Sequence, residues 1–221
     1  MLAHINFVSQ SEFVNANWAE ENLKTIRNLM EHAGLYRRAL APVAIIVGVL
    51  GLLAAAFAQA IGWTEPNHFA AYWMGVGVVS MLSALLLVRR QALKGGEEFW
   101  SPPTRRVAQA MAPMLVGGLG LGLLELMHAP MERDGIRLAA IWMILYGGAL
   151  HSAGFFMQRG PRLLGWIFVV IGIICLGISE FGKTSWLVDN QAHWVMGWAF
   201  GVNNLAYGVY LKLTAEPLET E

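Results

Sequence analysis

The chain has 221 residues, is 56% hydrophobic and only 14% charged, and balances fifteen Lys and Arg against fifteen Asp and Glu. Soluble domains carry about 25% charge, so the deficit excludes an ordinary water-soluble globule. Zero net charge gives no support for a nucleic-acid partner.

The N-terminal stretch MLAHINFVSQSEFVNANW has no basic region, apolar core or small-residue cleavage site, so it does not read as a signal peptide. Residues 17–35 predict one amphipathic helix. Asn17 and Glu20 have capping-box spacing, Gly34 supplies a stop, and Leu23, Ile26, Met30 and Ala33 form a stripe. The stripe could dock a protein partner or a second copy, or lie on the lipid headgroups. Residues 1–38 are therefore expected as a cytosolic or interfacial segment.

Six windows follow, near 41–60, 69–88, 109–128, 138–157, 163–181 and 192–211, each free of charge in its middle. About 20 residues at 1.5 Å each cross a hydrocarbon core of about 30 Å. The expectation is an all-α polytopic membrane protein with a six-helix bundle over residues 39–212 and an acidic tail over 213–221. Twelve of the fifteen cations fall before span 1, between spans 2 and 3, between spans 4 and 5, and after span 6. Only Arg133, Arg137 and Lys183 fall on the other side. The positive-inside rule then puts both termini in the cytoplasm, with membrane lipids as the surroundings and a bacterial inner membrane as the location. The lone Cys175 lies within the fifth span and forms no intrachain disulfide.

The spans repeat. Residues 70–90 and 139–159 agree at seven of 21 positions, sharing Ala-Ala-x-Trp-Met and a closing Arg. Ala41-Pro42 and Leu50-Gly51-Leu52-Leu53 recur as Ala112-Pro113 and Leu121-Gly122-Leu123-Leu124, shifted by 71. A third copy aligns Leu121–Glu125 with Leu176–Glu180 and Met143 with Met196. The unit is a pair of spans, so three helical hairpins with pseudo-threefold symmetry are expected. The pairs Gly118/Gly122 and Gly197/Gly201 suit close helix packing within the molecule.

Polar groups inside the spans are costly and so are functional candidates. An outer layer holds Glu125, His128, Glu180 and His193, whose carboxylates and imidazoles could hold a single divalent metal. Glu125 and His128 have the spacing used in di-iron bundles, but that motif occurs once here, which argues against a di-iron enzyme. An inner layer holds His151, Asn203, Asn204, Ser83 and Ser152, candidates for a ligand or transport path or for interhelical hydrogen bonds. The repeat equates His151 with Asn204, so those two are expected to face one another. No other cofactor is expected. No phosphate-binding glycine loop, His-Glu-x-x-His or Gly-x-Ser-x-Gly occurs, so no catalytic residue is assigned.

At Trp142–Gly148 (WMILYGG) and Asn204–Gly208 (NLAYG), the chain resembles a loose set of short six-span bacterial membrane proteins without assigned function. The resemblance covers residues 20–212 and implies the topology alone. Three functional expectations stand. The first is a non-catalytic accessory or sensing subunit that docks a partner. The second is a small-solute transporter or channel using polar groups at two depths. The third is a metal-dependent membrane enzyme built on the outer Glu/His group.

Overall fold

A computed structural model of the chain describes residues 40–63, 66–96, 99–127, 134–157, 159–181 and 191–214. The predicted helix at 17–35, His128, and residues 215–221 of the tail lie outside the described residues. All regular structure among the described residues is helical: α1 (Leu40–Ile61), α2 (Pro66–Lys94), α3 (Pro102–Met127), α4 (Gly135–Ala153) and α5 (Arg159–Phe181), then a segment from Ala192 to Leu213. That last segment is α6 (Ala192–Met196), a π-helical turn (Gly197–Val202) and α7 (Asn203–Leu213). Helices α1 to α5 are each long and apolar enough to cross a bilayer.

Prolines and glycines punctuate these helices as their backbone chemistry requires. Pro42, Pro66, Pro102 and Pro161 sit in the first turns of α1, α2, α3 and α5, where no intrahelical N–H is needed. Asp134 caps α4, its Oδ1 accepting the Ile136 and Arg137 amides at 2.9 Å each. Helix α1 ends at Gly62, whose φ of 72° reverses the chain. The Gly62 amide then donates to the Gln59 carbonyl and the Trp63 amide to the Ala58 carbonyl, both at 3.1 Å. This six-to-one, five-to-two pattern is a Schellman cap. It holds the Trp63 carbonyl in a defined place.

Apolar side chains gain nothing by leaving lipid for another apolar surface, so membrane helices associate where backbones can touch and polar groups can bond. Here glycines decide where. A Cβ on Gly147 would stand 2.6 Å from the Gly165 carbonyl oxygen, and a Cβ on Gly172 2.9 Å from that of Ala140. Helices α4 and α5 are therefore in backbone contact. The same holds between α1 and the last segment: a Cβ on Gly48 would lie 2.6 Å from the Leu205 amide nitrogen, and one on Gly201 2.7 Å from Leu52. Gly118 and Gly122 of α3 take the indole of Trp142, and Gly122 also takes Met74. The Gly118/Gly122 and Gly197/Gly201 pairs thus pack within the molecule, as their spacing suggested.

These tightest approaches run α4 to α5 and α1 to the last segment, between the expected hairpins rather than inside them. They also differ in register. The repeat carries Gly147 onto Phe200 and Gly165 onto Ala39, yet Phe200 lies beside Gly51, about three helical turns further along α1. Gly147 and Gly165 therefore have no glycine counterparts at the matching places.

Helix α4 is the hub. Ile136, Leu138 and Ala139 pack with Phe69 and Trp73 of α2 and Met196 of α6, while Ala140 and Met143 pack with Leu164 and Phe168 of α5. By contrast, only 6% of the apolar window of α2 is buried. Its Val78, Val79, Leu82 and Leu86 lie exposed, as a lipid-facing helix requires.

Candidate functional site

Two groups of polar residues can be traced through their hydrogen bonds. The outer group begins with the Asp134 cap. Its backbone N–H donates to Glu125 Oε1 at 3.1 Å, and its Oδ2 accepts the Ser179 hydroxyl at 3.0 Å. One aspartate thereby ties the end of α3 and the end of α5 to the start of α4. Beside it Arg137 Nε meets Glu180 Oε1 at 3.3 Å, with both side chains about half exposed. The partner of Glu180 is an arginine on α4.

His193, at the start of α6, is only 3% exposed. Trp73 Nε1 donates to its Nδ1 at 3.0 Å, and its Nε2 lies 2.8 Å from the Trp63 carbonyl oxygen. An indole N–H can only donate and a carbonyl can only accept. The ring is therefore neutral, with its proton on Nε2. Phe69, Tyr72 and Trp73 surround it at centroid distances of 5.2, 5.9 and 6.2 Å. The Tyr72 hydroxyl donates to the Ala54 carbonyl at 2.7 Å, which adds α1 to the cluster.

Of the four expected metal ligands, His128 lies outside the described residues. The other three are engaged elsewhere: Glu125 with the Asp134 amide, Glu180 with Arg137, and His193 through both nitrogens. Among the described residues no three His, Cys, Asp or Glu side chains come together in a way that could hold a metal ion. Each of these three residues is turned toward a different neighbour.

The inner group is built around the last segment. Asn204, 3% exposed, donates through Nδ2 to the Phe200 carbonyl at 2.8 Å and accepts the Tyr146 hydroxyl at Oδ1, 3.3 Å away. Phe200 lies in the π turn, where the ladder of helical hydrogen bonds widens and leaves carbonyls to side chains. The partner of Asn204 on α4 is thus Tyr146, not His151. His151 instead sits edge-on to Phe155 and Trp166, at 5.2 and 5.5 Å between centroids. Its Nδ1, and the Nδ2 of Asn203, are enclosed without a hydrogen-bond partner among the described residues. The Ser83 hydroxyl donates to the Val79 carbonyl one turn back at 2.8 Å, a local bond that joins it to nothing else. Ser152 lies half-buried near the end of α4.

Two clefts open between helices. One, of about 380 Å³, lies against Ile171, Cys175, Trp194 and Trp198. The other, of about 870 Å³, separates α1 from α2 and is lined by Leu53, Phe57, Gly75 and Val79. None of the candidate polar residues lines either cleft.

Sequence reasoning missed Asp134, Trp73, Trp63 and Tyr146. Only Asp134 carried a readable signal, an aspartate directly before an apolar helical run. No protein-family model, curated protein or solved structure matches the chain.

Proposed function

We propose that the protein is a non-catalytic integral membrane protein, an accessory or sensing subunit that docks a partner through its cytoplasmic segment. In this reading the continuous helical segment from Ala192 to Leu213 is a sixth crossing. The chain threads a bacterial cytoplasmic membrane as three out-and-back pairs related by a pseudo-threefold, with both ends on the cation-rich side. The observation that supports it most is the use made of the intramembrane polar groups. His193 spends both ring nitrogens on bonds to α2 and to the cap of α1, and Asn204 ties the last segment to α4 through Tyr146 while its amide bonds the Phe200 carbonyl one turn back. That is the work of structural cross-links.

A second reading, a small-solute transporter, is favoured by the enclosed and unpartnered nitrogens of His151 on α4 and of Asn203 at the end of the π turn. Flux assays in liposomes separate the two. Apolar replacement of Glu125, Glu180, His151 and Asn204 together abolishes flux in a transporter. A native protein that moves no solute leaves the accessory role, and mass spectrometry of the complex purified in mild detergent then names the partner. Orientation is checked separately in a Cys175→Ala background. Phe181→Cys should react with a membrane-impermeant thiol reagent on intact cells, and Thr214→Cys should not.

A further inference from the structure

The turn between α4 and α5 carries a cluster whose arginines none of these roles uses. Arg162 lays its guanidinium over the Phe155 ring, 5.4 Å from the centroid. The same ring meets the His151 imidazole on its edge, and His151 in turn meets Trp166. Gly154 makes this possible, because the Arg162 stem and backbone occupy the space a Cβ there would need. Arg159 stands exposed three residues before Arg162. Among the described residues neither arginine meets a carboxylate, the one ion pair being Arg137–Glu180. The enclosed Nδ1 of His151 leaves Nε2 as the nitrogen a ligand could reach. Below the arginines, Leu163, Trp166, Ile167 and Val170 form an exposed apolar strip along α5.

Two cations at the level of the headgroups, an aromatic residue one turn deeper and an apolar strip beyond match the anatomy of a phospholipid. Phosphate takes the charges, the ester region takes the indole and imidazole, and acyl chains take the strip. The backbone contact of Gly147 with Gly165 holds the two helices together, so the site is formed before the lipid arrives. We propose that this turn binds an anionic phospholipid of the adjoining leaflet. Placement in the cytoplasmic leaflet rests on the proposed orientation, whereas the binding itself does not.

The test uses the full chain purified in mild detergent and titrated with phosphatidylglycerol or phosphatidylcholine, with bound lipid counted by native mass spectrometry. Phosphatidylglycerol should be retained in preference, and R159Q/R162Q should weaken it by about tenfold or more. R89Q/R90Q, which removes two cations from the end of α2, should leave it within about twofold. Equal retention by R159Q/R162Q overturns the proposal. So does an equal loss in R89Q/R90Q, which would mean diffuse charge attraction, or displacement by millimolar inorganic phosphate, which would mean a free-anion site. If R159Q/R162Q does not fold, Arg159→Gln and Trp166→Ala replace it, and retention by both overturns the proposal in the same way. The thiol-labelling experiment reports on orientation independently, so a lipid result in detergent and a failure of sidedness remain distinguishable.

Discussion

Trp73 donates its indole N–H to Nδ1 of His193 across 120 residues of sequence, at 3.0 Å and in a site closed to solvent. The bond joins α2 to α6 and, through the other ring nitrogen, to the Schellman cap that ends α1. Trp142, the repeat equivalent of Trp73, donates instead to the Gly118 carbonyl at 2.8 Å. One phrase, written twice, makes two different joints.

Removing the Trp73 donor leaves a buried imidazole nitrogen unsatisfied. Trp73→Phe should therefore destabilise the protein by about 1–2 kcal/mol in a reversible detergent unfolding assay. His193→Ala should cost at least as much, and the double variant should fall short of the sum of the two. Additive losses would mean the two residues act separately.

Glycine substitutions should divide sharply by position. Gly48→Ala and Gly147→Ala push a methyl into facing backbone and should each cost about 1–3 kcal/mol. Gly75→Ala and Gly117→Ala meet nothing within 4 Å and should be neutral or slightly stabilising through better helix propensity. Thermal melts of the four variants in one detergent decide the matter.

Asp134→Ala removes the cap of α4 together with the ties to Glu125 and Ser179, and should cost about 1–2 kcal/mol. Asp134→Asn keeps an oxygen for the helix amides and should recover most of that loss. If the two variants melt alike, the cap is not what stabilises this end.

Chelation should leave the protein unmoved. Because His193 has no free nitrogen and Glu180 faces Arg137, EDTA should shift neither the melting midpoint nor the metal content of the purified protein. A lower midpoint restored by one divalent ion would return the outer Glu/His group to the role its residue types suggest.

Much of the architecture was legible in the residues, because lipid imposes a length and an apolar content that any crossing helix must show. Six spans stood out as apolar runs without central charge, and five of them are long apolar helices in the structure. The polar residues within the apolar runs were legible for the same reason, since a charge or an imidazole is conspicuous among leucines. What the residues could not convey was direction. Glu125, Glu180 and His193 each fall near one end of an apolar run, but a helix rotation of one residue turns a side chain by about 100°. Only packing sets that rotation.

The sequence by itself determined that this chain is helical and apolar over membrane-spanning lengths, and where along each apolar run its polar residues lie. Both follow from one-dimensional properties, the run length of apolar residues and the place of each polar one within it. The tertiary structure alone decided which helices touch, that Asn204 meets Tyr146 and not His151, and that His193 is claimed by two tryptophans. Those outcomes depend on backbone approach at Gly48, Gly147, Gly165 and Gly201. A glycine permits contact without naming its partner, so the choice belongs to the assembled bundle.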